Sequence, residues 1–394
     1  MPARHAAGAT AKDVPASDRN GGVSQLNQHN DVLVIGAGPS GIVAAIAASQ
    51  CGLRTTVLDA RLPPIDKPCG EGLLPPGVAT LRDLGIHLNG EVVLPLSGIR
   101  FSDEKSSACS QFVGTHGFSL RRVKLHELLV DCAVRAGVNL QWGARVEEIH
   151  SRFVIANKTR IPYHWLVGAD GQNSIVRKWA GFSSRAAARK RFGFRKHLRI
   201  RPWTDVVEVY WADRCQMVVT PSGAQEICVA AISGDPHLRV DQVLGRFPAL
   251  AERLRGAAPT TRELGDVTSL TRLSAVTRDR VALVGDASGT VDALTGHGLS
   301  LGFQQAMHLA QALRRGDLRS YEIAHRKISA MPALMTRLML LMDGNNWIRR
   351  RTLRLFQSKP ELFSRLLSIH TGAAPVSSFG LAEMAGFGWN FLRA

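Results

Sequence analysis

The β-branched run Val32-Leu33-Val34-Ile35 leads straight into GAGPSG, and the Ala-rich stretch IVAAIAASQCG follows it. The run reads as a strand buried on both faces, and the stretch as a helix stopped by Gly52. Arg54-Thr55-Thr56-Val57-Leu58 then gives a second short strand that ends at Asp59. Strand, glycine turn, helix and strand fit within about 30 residues, the size of one βαβ unit. Within the turn, Gly36, Gly38 and Gly41 form G-x-G-x-x-G. The first glycine allows a tight turn, the second lets a pyrophosphate approach the backbone, and the third lets helix pack closely on strand. The helix N-terminus at Pro39 and Ser40 then faces phosphate charge. Asp59 lies near the expected distance of about 20 residues for a ribose acceptor, with Ala60 and Arg61 beside it. Such a chain folds around a dinucleotide.

Further along, residues 61–76 hold Pro and Gly clusters and read as an irregular loop. RVKLHELLVDCAVRA at 122–136 spaces its apolar residues as a helix does, and Gly137 stops it. Strand-like runs follow near 138–142 and 144–149, and IPYHWLVGADG rises as another strand into a turn. From about 190 to 275 the texture changes. VVEVYW, CQMVVT and EICVAAI alternate as antiparallel strands with one face covered. RVALVGDASG returns to α/β texture, a long helix is expected from about 299 to 314, and the rest is helical, basic and rich in Leu and Met.

Two of these segments carry a family resemblance. VGADGQNSIVRKWAG resembles the D-G motif of the flavin monooxygenase and geranylgeranyl reductase superfamily, and VALVGDASGTVDALTGHGLSLGFQQA resembles its G-D motif. Arg122 and Leu125 match its R-x-x-L element. The resemblance runs from about residue 31 to 365 and implies bound FAD. It implies that Arg122 lies beside the pyrophosphate, that Asp170 and Gly171 are mainly structural with some cofactor contact, and that Asp286, after Gly285, meets ribityl hydroxyls. The helix beginning near Gly298 and Leu299, after Gly296, would aim its amides at the isoalloxazine edge, where a helix N-terminus stabilises negative charge.

The loop DKPCGEGLLPPGV looks like the K-x-C-G-G/E-G loop of geranylgeranyl-reductase-like flavoproteins, which would bring Cys69 and Gly70 close to the flavin. Cys69 is then either a thiol with chemistry, helped by Lys67, or a small loop hydrophobe. The sequence departs from the family at Asp292-Ala293, where many relatives carry Asp-Pro, and at His297, where Glu or Gln is frequent. His297 either tunes flavin or proton transfer, or makes an ordinary loop hydrogen bond. The W-x-W-x-I-P signature of flavin halogenases is missing, which counts against halogenation.

The resemblance implies an α/β fold: a Rossmann-type FAD-binding domain of the p-hydroxybenzoate hydroxylase-like class, with an inserted, mainly antiparallel β substrate domain and a helical C-terminal part. The expected division is a disordered leader over 1–29 and a discontinuous FAD-binding domain over 30–90, 118–182 and 276–320. A β-sheet substrate domain takes 91–117 and 183–275, and C-terminal helices take 321–394. Two reactions fit. Reduced flavin delivers hydride to a C=C bond of an apolar (isoprenoid-, polyketide- or aromatic-like) substrate, or NAD(P)H reduces FAD and O₂ forms a C4a-hydroperoxide that hydroxylates. The cysteine loop tilts toward the reductase. With no second G-x-G-x-x-G, NAD(P)H would bind only transiently as electron donor.

Composition narrows the partners. Lys and Arg outnumber Asp and Glu by 49 to 32, for a net charge of +17. That field favours phosphate-bearing cofactors, acidic lipid head groups or nucleic acid. No nucleic-acid-binding motif accompanies the charge, so nucleic acid is not expected. The six cysteines include no C-x-x-C pair, so neither a metal site nor a disulfide framework is expected, and a cytoplasmic protein is. MPALMTRLMLLMDGNNWIRRRTLRLF joins a Leu/Met-rich stretch to Arg349, Arg350, Arg351 and Arg354. Such a segment either lies peripherally on an anionic membrane or caps the substrate domain with its arginines solvated.

Overall fold

A computed structural model of the chain describes residues 30–90, 93–186, 190–268, 270–375 and 377; the leader expected over 1–29 and most of the chain beyond 375 lie outside them. The strand Asn30–Ile35 is the centre of a parallel sheet, between Thr55–Asp59 and Thr159–Gly168. Asn139–Trp142 extends that sheet on one side and Val281–Leu283 on the other, both parallel. Val32, Leu33 and Val34 are wholly buried because helices cover the sheet.

The helix Pro39–Gln50 is apolar on every side and buried from Gly41 to Ala48. Burial all round suits its place between the sheet, the helix Arg122–Arg135 and the helix Gly298–Arg315. Small residues make that crowding possible. Gly36 takes φ +105°, and a Cβ there would run into the backbone of Ala169. A Cβ on Gly41 would strike the carbonyl oxygen of Gly36 and come within 2.9 Å of the Ala169 side chain. Turn, helix and the neighbouring strand therefore meet at van der Waals distance only as glycine.

The segment 61–76, expected to be irregular throughout, ends in structure. Gly72–Leu73 pairs antiparallel with Gly117–Ser119, and the helix Pro75–Asp83 begins at once. Pro75 starts it because its missing N–H is needed by no helical bond and its φ is already set.

The second sheet runs in the order Ala258–Pro259, Arg191–Arg199, Glu226–Ser233, Cys215–Gly223, Val206–Ala212, Gly98–Ser102 and Ser107–Gln111. All its neighbours are antiparallel except Gly98–Ser102 with Val206–Ala212, a pair joined by no hairpin. Alternation gives the sheet two apolar faces. Met217, Val219, Ile227 and Val229 pack under the short helices Val240–Leu244 and Pro248–Arg253. Phe101, Val209, Trp211 and Ile232 face the C-terminal helices Leu318–Gly344, Asn346–Ser358 and Pro360–His370 through Met342, Leu353, Phe356 and Phe363. The protein is thus an α/β nucleotide-binding fold of the p-hydroxybenzoate hydroxylase-like class, joined to a mainly antiparallel sheet and a helical cover.

The glycine packing makes a prediction. Gly41→Ala adds one carbon where none fits and should cost about 1–3 kcal/mol. Urea unfolding would show it as a lower midpoint with an unchanged slope. Wild-type stability would contradict the packing described here.

Candidate functional site

The C-terminal ends of the parallel strands, the glycine turn and the pleated face of the second sheet enclose one cavity of about 1260 Å³. Ligands of open α/β sheets bind at such strand ends. At one end stand Gly36, Gly38, Pro39, Ser40 and Asp59, with Ala60 and Arg61 following. A Cβ built on Gly38 meets nothing within 4 Å, so the space before it belongs to the cavity. Asp59 Oδ2 accepts from the amide of Ala37 (2.8 Å) and Oδ1 from that of Arg61 (2.9 Å), which fixes the turn from below. His126 Nε2 pairs with the Ala37 carbonyl at 2.9 Å, and burial holds that imidazole below its usual range. Arg122 also lines the cavity, and its buried Nε has no hydrogen-bond partner.

In the middle, three chain segments meet on one cation. Lys67 Nζ lies 3.2 Å from Asp286 Oδ2 and 3.3 Å from Asp266 Oδ2, and Gln172 donates to Asp266 at 2.7 Å. Burial alone would pull the Lys67 ammonium down, yet Asp286 and Asp266 outweigh it and hold it above the ordinary lysine range. The lysine is therefore held between these two carboxylates. Cys69 and Gly70 do line the cavity, and Cys69 Sγ accepts from the Glu71 amide at 3.4 Å.

Behind that loop sits a buried brace. Glu71 takes φ 60°, where a side chain is seldom tolerated. Its carboxylate binds His197 Nε2 at 2.7 Å and the Arg122 amide at 3.2 Å. His197 Nδ1 lies 3.0 Å from Thr261 Oγ1, and the Cys228 thiol donates to the Cys69 carbonyl at 3.7 Å. Glu71, His197 and Cys228 stand close enough together to suit a metal ion. Their polar atoms are already spent on one another and on the loop, so they work as its fastening. Arg195 adds a bond to Asp66.

Around the far end, Gly285, Asp286, Gly296, Gly298 and Leu299 line the cavity beside Asp170 and Gly171. The helix Gly298–Arg315 starts there with free N-terminal amides and no side-chain cap. Asp170 Oδ2 is occupied in capping the amides of Ile175 (2.6 Å) and Val176 (3.3 Å). His297 stands apart from the other sequence candidates. Its ring is buried, 4.2 Å from the ring of His370, and its Nδ1 lies 3.3 Å from the Thr295 carbonyl. Complete burial pushes it down to about 4, which leaves it neutral at neutral pH. His370, from the last helix, lines the cavity and pairs through Nε2 with the same carbonyl at 3.0 Å. Asp292 of the same loop meets Arg191 Nη1 at 2.8 Å, and Gln216 links Arg191 to Asp343. One buried network thus ties that loop to the second sheet and the cover.

The other half of the cavity is apolar. Val207, Val209, Val218 and Ile232 come from the sheet, and Met339 and Phe363 from the helices. Sequence reasoning missed Lys67's partner Asp266, the Glu71–His197 pair and Arg191, all of which join residues remote in the chain. The acidic residue in CGEG was the one local signal, a glutamate at a position the family also fills with the more permissive glycine.

A dinucleotide cradle that opens directly into an apolar chamber is the arrangement of a flavin-dependent oxidoreductase. Comparison with known proteins agrees: residues 29–316 match the FAD binding domain, and the chain belongs to that family. It is 27% identical over 321 residues to the menaquinone reductase of Mycobacterium tuberculosis, covering 73% of this chain and 77% of the relative. It is 27% identical over 345 residues to the para-nitrophenol 4-monooxygenase of a Pseudomonas species, covering 75% and 83%. It is 26% identical over 375 residues to the digeranylgeranylglycerophospholipid reductase of Thermoplasma volcanium, covering 86% and 91%. The cavity suits FAD: an open glycine cradle, an unspent buried guanidinium nitrogen and uncapped helix amides are the donor set that its phosphates and ring oxygens require.

Gly38→Val separates folding from cofactor binding. Its side chain enters open space, so the far-ultraviolet spectrum should match wild type while bound flavin, read from absorbance, falls by about tenfold or more. Full flavin content would move the pyrophosphate away from Gly38.

Proposed function

We propose that this FAD-dependent oxidoreductase saturates a C=C bond of a large apolar substrate. The apolar chamber carries this reading, because it is continuous with the cradle and has the Cys69 loop at the junction. When bound, FAD supplies the hydride. Gly36, Gly38 and Ser40 would hold its pyrophosphate with Arg122; Asp59 would take a ribose hydroxyl on its remaining lone pairs; Asp286 would meet the ribityl chain. The amides of Gly298 and Leu299 would favour negative charge on the ring. Val207, Val218, Ile232 and Phe363 exclude water and align the alkene, and Cys69 shapes the passage between the halves or delivers the proton that the second carbon needs. NAD(P)H serves as transient donor.

The monooxygenase reading has one specific support, the match to para-nitrophenol 4-monooxygenase along most of both chains. The two reactions differ in their need for oxygen. Enzyme reduced under argon should be reoxidised by a polyisoprenoid alkene, with flavin absorbance returning in the absence of O₂. Flavin that stays reduced until air enters, followed by substrate-dependent oxygen uptake, would install the monooxygenase instead. In the same assay Cys69→Ser should keep its FAD and lose about tenfold or more in turnover. Cys51→Ser, at the end of the dinucleotide helix, is the control. Equal rates for both variants would reduce Cys69 to a loop residue.

A further inference from the structure

The long helix Leu318–Gly344 carries an apolar stripe that the other described residues leave uncovered. Ile323, Leu334, Leu338 and Leu341 are 62%, 42%, 42% and 55% exposed. At 100° per residue all four fall within about 60° of one another, on a single face of the helix. Trp347, at the start of the next helix, is 52% exposed, with the Arg351 guanidinium 4.5 Å from its ring centre. The rest of the long helix buries Tyr321, His325, Met335 and Met342, so the stripe is not needed for packing.

Two further facts say what meets it. Lys327, Arg337 and Arg350 are exposed on the same two helices, in a chain of net charge +17. Two copies meeting face to face would bring those cations together, whereas an anionic lipid surface neutralises them. In addition, Leu338 and Leu341 are both exposed and part of the cavity wall. At those two positions the stripe borders the chamber.

We propose that this face docks on an anionic membrane surface, with Leu334, Leu338, Leu341 and Trp347 inserted among the acyl chains and the cations at the head groups. Such a face lies in the interface and does not span it, and among the described residues no helix is long and apolar enough to cross a membrane. Docked this way, the chamber opens toward the hydrocarbon, and an apolar substrate enters without crossing water. This last point rests on the function proposed above; the docking does not.

Flotation of the FAD-loaded protein with vesicles tests it without any turnover. Vesicles of phosphatidylcholine and phosphatidylglycerol in equal parts should bind it about tenfold or more tightly than phosphatidylcholine alone. Leu334→Asp combined with Trp347→Ala, neither of which lines the cavity, should reduce binding about tenfold and leave bound flavin unchanged. Arg337→Glu with Arg350→Glu should do the same through charge, and is the second arm should the first variant lose its fold. Wild-type protein that ignores both vesicles overturns the proposal, as do variants that bind like wild type. So does a dimer in sedimentation equilibrium that the Leu334→Asp, Trp347→Ala variant dissolves. Should the flavin fail to be reoxidised by an alkene while vesicle binding persists, the substrate reading falls and the docking stands.

Discussion

The whole site hangs on the approach of the glycine turn to the strand beside it. Gly36 lies against the Ala169 backbone and Gly41 against the Gly36 carbonyl, with no room for a side chain at either contact. That contact fixes where the helix Pro39–Gln50 begins, and so where a phosphate can be held. It also brings Asp170 to the cavity, since Asp170 follows Ala169 directly. Ser40, one turn on, packs against Gly285 and Gly302 so closely that a Cβ on either would collide with it. Cradle, G-D loop and the helix Gly298–Arg315 are thereby set relative to one another by backbone packing.

The second half of the site is set differently, by charge. Lys67 joins its own loop to Asp266 of the second sheet and to Asp286 in the turn that follows the strand Val281–Leu283 of the first. Arg191 and Asp292 join the sheet to the loop before the helix, and Glu71 with His197 fastens the cysteine loop from behind. Breaking one partner of the buried Arg191–Asp292 pair costs about 3–5 kcal/mol, because the other charge is left stranded. The apolar chamber lies among these fastenings. Its walls are the alternate residues of ordinary strands, made into a cavity because polar pairs hold the sheet, the loops and the helical cover together.

Much of this was legible in the chain. The dinucleotide unit, the helix observed as Arg122–Arg135 and the helix observed as Gly298–Arg315 follow from periodicity and glycine stops, which are local. VVEVYW, CQMVVT and EICVAAI lie in the strands they suggested for the same reason. The parallel pairing of Gly98–Ser102 with Val206–Ala212 was not legible, because no turn connects the two and register is decided by the assembled sheet. Nor were the buried pairs: Glu71 and His197 are 126 residues apart, and nothing near either one names the other. His297 left two readings open in the sequence, tuning of flavin or proton transfer and an ordinary loop hydrogen bond; its ring is buried, with Nδ1 3.3 Å from the Thr295 carbonyl.

The central claim is that the cavity between the two sheets holds one FAD without a covalent link. Purified protein denatured in acid, with the supernatant resolved by chromatography, tests this most directly. The geometry predicts intact FAD, one per chain. FMN, flavin that stays with the precipitated protein, or a colourless protein that takes up no FAD on reconstitution would contradict it.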